Sequence, residues 1–405
     1  MLLRVAWRNV WRNKARSMVI VIAVALGLWG GIFSDAFMQG MSQQLVHSVI
    51  YTQTGNIQLN QPGFLVNHDM ALTIPNTDSI VTQVENIPGV AGAATDIQIA
   101  AMASTASGSA GIMINGINPG EYVKVNELNK MLTEGDYFKD SRANQIVIGQ
   151  QLADKLKVKL HSRIVVTLQT TAGNIVYGAF RITGIYSTSS TDFDGQTVYV
   201  RDDDIRTLVN YLPGQASIIT VLLHNNDDTK KVTDAIRGAY PNLQVQPWME
   251  LSPLLQMVTG TVQQTAYIFV GIILIALAFG IINTMLMAVL DRTHEIGMLL
   301  SIGMKPRLIF SMFMLETVFL SLTGAAAGMA VSIGSIYWFG QKGINLSVVA
   351  QGINAFGYSS VVYPTLGVDF YADLALMVFV IAMIAGVFPA RRAIRLKPAE
   401  AVRGD

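Results

Sequence analysis

The chain has 405 residues, of which 51% are hydrophobic and only 14% charged, with a formal net charge of +1. Its mean hydropathy is +0.41, whereas ordinary soluble domains carry roughly 25% charged residues, so the composition is that of a membrane protein. No cysteine is present, which excludes disulfides, thiol-bound metals and a lipobox anchor. The apolar excess is concentrated in four runs, residues 17–33, 267–290, 308–339 and 374–390. Each reaches the ~17 residues that about 30 Å of hydrocarbon requires, which predicts four membrane helices.

Residues 1–16 carry Arg4, Arg8, Arg12, Lys14 and Arg16 and no acid. Trp7 and Trp11 lie one turn apart there, so this stretch reads as an amphipathic surface helix with its tryptophans at headgroup level and its arginines toward anionic lipid. A first span follows over 17–40, counting an outward extension. Its apolar run is too long for a signal-peptide core and no small-x-small cleavage site follows, so it reads as an uncleaved anchor. The tail after the last run is also basic, with Arg391, Arg392, Arg395, Lys397 and Arg403. Positively charged flanks stay in the cytoplasm, which puts both termini inside and residues 41–262 outside. That long segment holds 14 Lys and Arg against 19 Asp and Glu.

The outer segment is large enough for its own core. β-branched and apolar stretches at 55–59, 111–117, 146–148, 164–168, 175–186, 197–200 and 217–223 read as strands. Helical periodicity appears at 79–86, 123–132, 150–156, 203–210 and 229–240. The run Asp202, Asp203, Asp204 reads as the cap of a following helix, and the DFDG at 192–195 as a polar turn. Five histidines, His47, His68, His161, His224 and His294, are scattered without ligand spacing, so no metal site is expected.

A second span is expected over 263–291, a charged elbow over 292–307, a third span over 308–340, an outer loop over 341–373, a fourth span over 374–390 and an inner tail over 391–405. The elbow carries Asp291, Arg292, Glu295, Lys305 and Arg307, while Ile296, Met298, Leu299 and Leu300 supply an apolar face. It reads as a short amphipathic helix at the membrane surface, placed to receive a push from a soluble partner. Within the third span, Glu316 is an ionisable group that needs a reason to be there. A position near the helix end, meeting cytosol or interfacial arginines, is the expected one. Gly324 and Gly328 form a small-xxx-small stripe suited to close helix packing.

Three segments resemble one family: RNVWRNKARS before the first span, IINTMLMAVLDRTHEIGMLLSIGMKPRLIF around the elbow, and FPARRAIRLKPAEAVR at the end. They are similar to the FtsX-like permeases of ABC transporters, the superfamily that includes the MacB exporter and the LolC and LolE lipoprotein-release permeases. The order INGINPGE, EGDYF, IVIGQQLADKLKVK resembles the outer domains of LolC and LolE in particular. The resemblance implies a MacB-type fold, four transmembrane helices with a large α+β extracytoplasmic domain between the first and second. It further implies an inserted, more β-rich subdomain near 121–214 and a location in the bacterial inner membrane with the large domain in the periplasm.

No G-x-x-x-x-G-K-[ST] loop is present to hold a nucleotide, so the chain itself holds no cofactor. ATP and Mg belong on two copies of a separate ATPase subunit, and no nucleic-acid partner is expected. A second permease chain, identical or homologous, is implied because four helices cannot enclose a path alone. The resemblance places coupling to the ATPase at Arg292, Glu295, Ile296, Leu299 and Lys305, with Glu295 at the family's coupling position. Gly27, Gly30 and Gly31 thin the first span opposite the uncharged start of the second, which suggests an apolar cleft in the outer half of the membrane at the interface of two permease chains, lined by Leu28, Gly31, Ile272 and Leu274. The function implied is release of lipoproteins toward a periplasmic carrier. Export of the MacB kind and a non-transporting signal relay like FtsX are the alternatives.

Overall fold

The structure is a computed structural model that describes residues 2–12, 14–138, 142–349, 352–353 and 357–395. The chain opens with α1 (Leu2–Arg12), α2 (Lys14–Val49), a π-helical turn at Ile50–Thr54, β1 (Ile57–Asn60), α3 (Phe64–Asn67) and α4 (Thr77–Glu85). Next come β2 (Val90–Thr105), β3 (Gly108–Ile117), α5 (Pro119–Tyr122), β4 (Leu132–Gly135), β5 (Gln145–Gly149), α6 (Gln150–Leu156), β6 (Arg163–Gln169) and β7 (Ile175–Tyr186). α7 (Thr191–Gln196), β8 (Thr197–Arg201), α8 (Asp202–Val209), β9 (Ile218–Leu223), α9 (Thr229–Ala239), β10 (Gln244–Pro247) and α10 (Trp248–Leu251) complete the middle of the chain. The last third is helical: α11 (Pro253–Asp291), α12 (Thr293–Ser301), α13 (Pro306–Lys342) and α14 (Val368–Ile394).

Two units emerge. The helical unit holds the described residues of Met1–Ser42, Thr259–Ile344 and Val361–Asp405. Its helices α2, α11, α13 and α14 are the four long and apolar enough to cross a membrane among the described residues. α2 has 36 residues and rises roughly 54 Å, well beyond the hydrocarbon thickness. Along it Ile20, Val24, Leu28 and Ile32 recur every fourth residue and form one buried face, packed into a core with Met285, Phe313 and Val378. α2 and α13 approach closely because glycines stand where they meet: a Cβ at Gly324 would lie 2.7 Å from Val24 Cβ, and one at Gly328 2.8 Å from the Ala25 carbonyl oxygen. Of the basic tail, Lys397 and Arg403 lie outside the described residues.

The second unit comprises Gln43–Val258 and the described residues of Asn345–Ser360. It is built on one mixed sheet ordered β10-β1-β9-β2-β3-β8-β5-β7-β4, with β6 bridging β2 and β7. The long strand β2 makes this possible: its first half pairs with β9, its second half with β3, and Met102–Ser104 also with β6. The strands β2, β3, β8, β5, β7 and β6 therefore close on one another. Ile97, Ile112, Ile148, Phe180 and Val198 fill their shared core, to which α6 adds Leu152 and α8 adds Ile205. The segment 121–214 supplies β4 to β8, which pair with one another and join the rest of the sheet where β8 meets β3 and β6 meets β2. At the other arm, α4 and α9 cover Ile57, Leu59, Ile219 and Val245.

Every expected strand region carries a strand, and five strands were not expected: β2, β4, β10 and the two-residue strands Ile344–Asn345 and Val361–Val362, which pair with each other. β2 reads VAGAATDIQIAAMAST; its Ala and Gly have little β preference, and long-range pairing to three neighbours supplies what propensity does not. The helix expected at 123–132 is absent. Asn118 Oδ1 accepts from Gly120 N–H and starts only the single turn α5. Asn126 then accepts from Leu128 N–H and donates to the Thr52 carbonyl, which turns the chain away from a helix. The DFDG stretch is helical rather than a turn, because Ser190 caps Phe193 N–H and buried Asp194 accepts from the Thr188 amide and hydroxyl at 2.9 and 2.7 Å. The three aspartates 202–204 occupy the first turn of α8 rather than its cap, where they suit the helix dipole.

Candidate functional site

The elbow is helix α12, and its residues divide sharply by which way they face. Ile296 and Gly297 are buried, and Leu299 and Leu300 pack against the core of the helical unit. Glu295 and Met298 on α12, Ile302 at its C-cap and Lys305 in the turn that follows are exposed; Glu295, Met298 and Ile302, three and four residues apart, share one face. Ile302 is 76% exposed, an unusual position for a large apolar side chain. The expected apolar face therefore needs correcting: Met298 points outward with Ile302. Of the five expected coupling residues, only Glu295 and Lys305 lie on the surface. Ile296 and Leu299 are packing residues, and Met298 and Ile302 were missed, although the helical period alone would have found them.

Arg292, just ahead of α12, also points inward. Its guanidinium donates to both carboxylate oxygens of Glu316 at 3.1 and 3.3 Å and to the Asn9 carbonyl at 3.3 Å. The pair is buried, with Glu316 only 5% exposed as a side chain. One arginine thus ties α12 to α13 and to α1, and the intramembrane acid has its reason in a structural ion pair. Beside it Arg12 donates to both oxygens of Glu295 at 2.9 and 2.8 Å, with both side chains about half exposed. A polar cavity of about 290 Å³ lies between these pairs, walled by Arg12, Asp291, Arg292, Glu295 and Glu316. α1 is held down further by Trp7 against Phe319, edge to face at 5.6 Å, and by Ser17 Oγ donating to the Val10 carbonyl.

An apolar groove runs between α2 and α11. One stretch of about 350 Å³ is lined by Ala23, Gly27, Ile273, Leu277 and Gly280. A second of about 200 Å³ is lined by Gly30, Gly31, Ser34, Asp35 and Phe269. The residues expected to line a cleft between two chains fall differently about this groove within one chain. Leu28 and Leu274 are buried in the helical core, touching only a gap of about 10 Å³. Ile272 is exposed but faces away from the groove; Gly31 does line it. Asp35 was not anticipated: it is buried beside the groove, accepts from Gln39 at 3.1 Å, and leaves its Oδ1 without a partner. The lone acid that follows the uncharged run 17–33 was the signal for it.

Four long apolar helices, a mixed-sheet unit between the first two, and a charged helical elbow between the second and third form a recognisable order. Residues 17–239, more than half of the chain, match the MacB-like periplasmic core domain, and residues 267–398 match the FtsX-like permease C-terminal domain. The chain is an FtsX-like ABC transporter permease with a MacB-like periplasmic core domain. This permease is a multi-pass membrane protein with an extracytoplasmic domain, and it is not itself an ATPase; its class implies an ATPase partner. It is 25% identical over 68% of its length to an uncharacterized ABC transporter permease, MJ1507, of Methanocaldococcus jannaschii, covering 66% of that protein. It is 23% identical over 82% of its length to the lipoprotein-releasing system transmembrane protein LolC of Neisseria meningitidis, covering 83% of it. It is also 25% identical over 72% of its length to the uncharacterized permease YknZ of Bacillus subtilis, covering 69% of it.

Proposed function

We propose that this permease converts ATP hydrolysis on two separate ATPase subunits into release of lipoproteins from the inner membrane, the acyl chains entering the groove between α2 and α11. The groove is the observation that carries this reading: it is apolar along most of its length, open at the side of the helices, and sized for hydrocarbon. Similarity to a lipoprotein-releasing LolC protein over most of both chains supports it. Expelling an acyl chain into water costs about 0.8 kcal/mol per CH₂, so several tens of methylenes require tens of kcal/mol. A sheltering groove, a second permease chain to close it and an external source of work are therefore all part of the proposal.

Work enters at α12 and the turn after it, where exposed Glu295, Met298, Ile302 and Lys305 meet the ATPase. Photo-crosslinkers at Ala23 and Ile273 should trap lipidated cargo in working complexes, whereas one at Leu28 should trap only neighbouring helices. Crosslinks to helices alone from all three positions would sink lipoprotein release. A MacB-like exporter is the second reading, supported by the outer unit itself. β6 and β7 are joined by only five residues, 170–174, a short turn that offers little surface to a carrier.

A further inference from the structure

The groove between α2 and α11 changes character along its length. Its two stretches share Ile273, and their lining on α2 runs from Val19 to Met38, roughly 28 Å of helix rise. From Val19 to Gly31 the α2 lining is aliphatic or glycine. At the outer end, Ser34 and Asp35 on α2 and Thr265 on α11 replace hydrocarbon with oxygen. Asp35 is the one charged residue lining either stretch.

That carboxylate lacks a counter-charge. Asp35 is 6% exposed; its Oδ2 accepts from the Gln39 amide at 3.1 Å, and its Oδ1 has no hydrogen-bond partner. Gln39 is neutral, and no basic side chain lines this stretch of the groove. The other buried acid of the helical unit, Glu316, has Arg292 across from it. An ionisable group at membrane depth is costly, and those that persist are paired or mark the path of a substrate. With no cation supplied by the groove itself, Asp35 fits the second case: an unpaired acceptor is presented where the proposed acyl site ends.

We infer that Asp35 selects the cargo: the groove takes an amphiphile whose acyl chain lies along Ala23 to Gly31 and whose protonated amine meets the Asp35 carboxylate. The inference rests on the reading of the groove as the acyl site and adds the polar group that the chain must carry. An ammonium group offers three donors, one for the free carboxylate oxygen in a charge-assisted bond and two for the hydroxyls of Ser34 and Thr265. A zwitterionic phospholipid fits less well, because the phosphate beside its amine would need a basic partner that the lining lacks. The amine therefore belongs to the lipidated cargo and not to a bilayer headgroup.

The test uses the full-length permease in phosphatidylcholine nanodiscs and two photoreactive probes with the same dodecyl chain, one ending in a primary amine and the other in an alcohol. Labelled peptides are mapped by mass spectrometry. The amine should label the stretch around Gly30 and Phe269 at about tenfold lower concentration than the alcohol, the range of a hydrogen bond to a charged group. Asp35→Asn should keep the alcohol labelling, which reports an intact groove, and lose the preference for the amine. Asp369→Asn, in the exposed first turn of α14, should keep that preference. Equal labelling by the two probes, or a preference that survives Asp35→Asn, overturns the role of the amine and leaves the groove as an acyl site. Labelling of the groove by neither probe overturns both readings. Loss of the preference when phosphatidylethanolamine is added to the nanodiscs would give the site to a bilayer headgroup and overturn its assignment to the cargo.

Discussion

Reversing the Arg12–Glu295 pair separates two jobs that this carboxylate can do, touching the ATPase and pinning α1. The bridge is bidentate at 2.8 to 2.9 Å, but its side chains are 51% and 50% exposed. Solvent screening therefore limits its worth to about 1 kcal/mol, roughly a fivefold change in any equilibrium that makes or breaks it. Arg12→Glu and Glu295→Arg should each leave the helical unit folded, and the double reversal should restore the bond. In proteoliposomes with the ATPase subunits, cargo-stimulated ATP hydrolysis per assembled complex is the readout. A coupling contact with the ATPase requires that Glu295→Arg and the double variant both stay low, whatever the level of Arg12→Glu, which leaves the end of α1 free in every state. Recovery of activity in the double variant would refute that reasoning, because it would show that only the internal bridge mattered.

Removing one partner of a buried pair is far costlier, so Glu316→Ala, which strands Arg292 between α1, α12 and α13, should cost about 3–5 kcal/mol. Thermal unfolding of the detergent-solubilised chain reports it, and an unchanged midpoint would contradict the structural role. Gly328→Val should overpack the contact with α2, where a Cβ already meets the Ala25 carbonyl at 2.8 Å, at about 1–3 kcal/mol. Gly334→Val, with open space around its Cβ, is the matched control and should be near neutral. In the outer unit, Asp96 is buried with an unpartnered Oδ1 among Tyr122, Tyr137 and Tyr199, and burial pushes its pKa well above the usual carboxylate value. Its folded pKa exceeds its unfolded one, so its contribution is most favourable below about pH 4 and is lost as pH rises toward the folded value. Asp96→Asn should therefore raise stability at pH 7 and flatten the dependence above pH 4 in denaturant titrations followed by tryptophan fluorescence; equal destabilisation at both pH values would count against it.

Much of the architecture was legible because the bilayer imposes a length that local sequence must meet. The four apolar runs mark four helices, and β-branched alternation marks strands such as β7 and β9. What stayed hidden depends on partners distant in sequence. β2 is a strand because β3, β6 and β9 offer it hydrogen bonds, and nothing in an Ala- and Gly-rich run announces that. The lining of this groove within one chain stayed hidden for a related reason. Leu28 and Gly31 lie three residues apart, but Leu28 continues the buried face that begins at Ile20 and is fixed by the close approach of Gly328. Small residues at 27 and 30 leave the opposite face hollow. The useful signal was the phase of each residue around the helix, which composition alone does not carry.

That phase also decides how a push on α12 would travel in the proposed mechanism. Arg292 and Glu295 are three residues apart and both fully ionic, of opposite sign, yet one is buried and the other half exposed. The buried bridge to Glu316, reinforced by the Asn9 carbonyl, costs several kcal/mol to break, so α12, α13 and the middle of α1 move as one body at that point. The exposed bridge from Glu295 to the end of α1 costs about 1 kcal/mol to break, little enough for an approaching ATPase to exchange it for its own contact. Docking would then free the C-terminal end of α1 while leaving its middle clamped. α2 begins two residues after that end, at Lys14, and the groove starts less than two turns further on, at Val19. Release of Arg12 is thus the shortest mechanical route from the ATPase contact to the wall of the groove, and it runs through a segment that the elbow alone does not include.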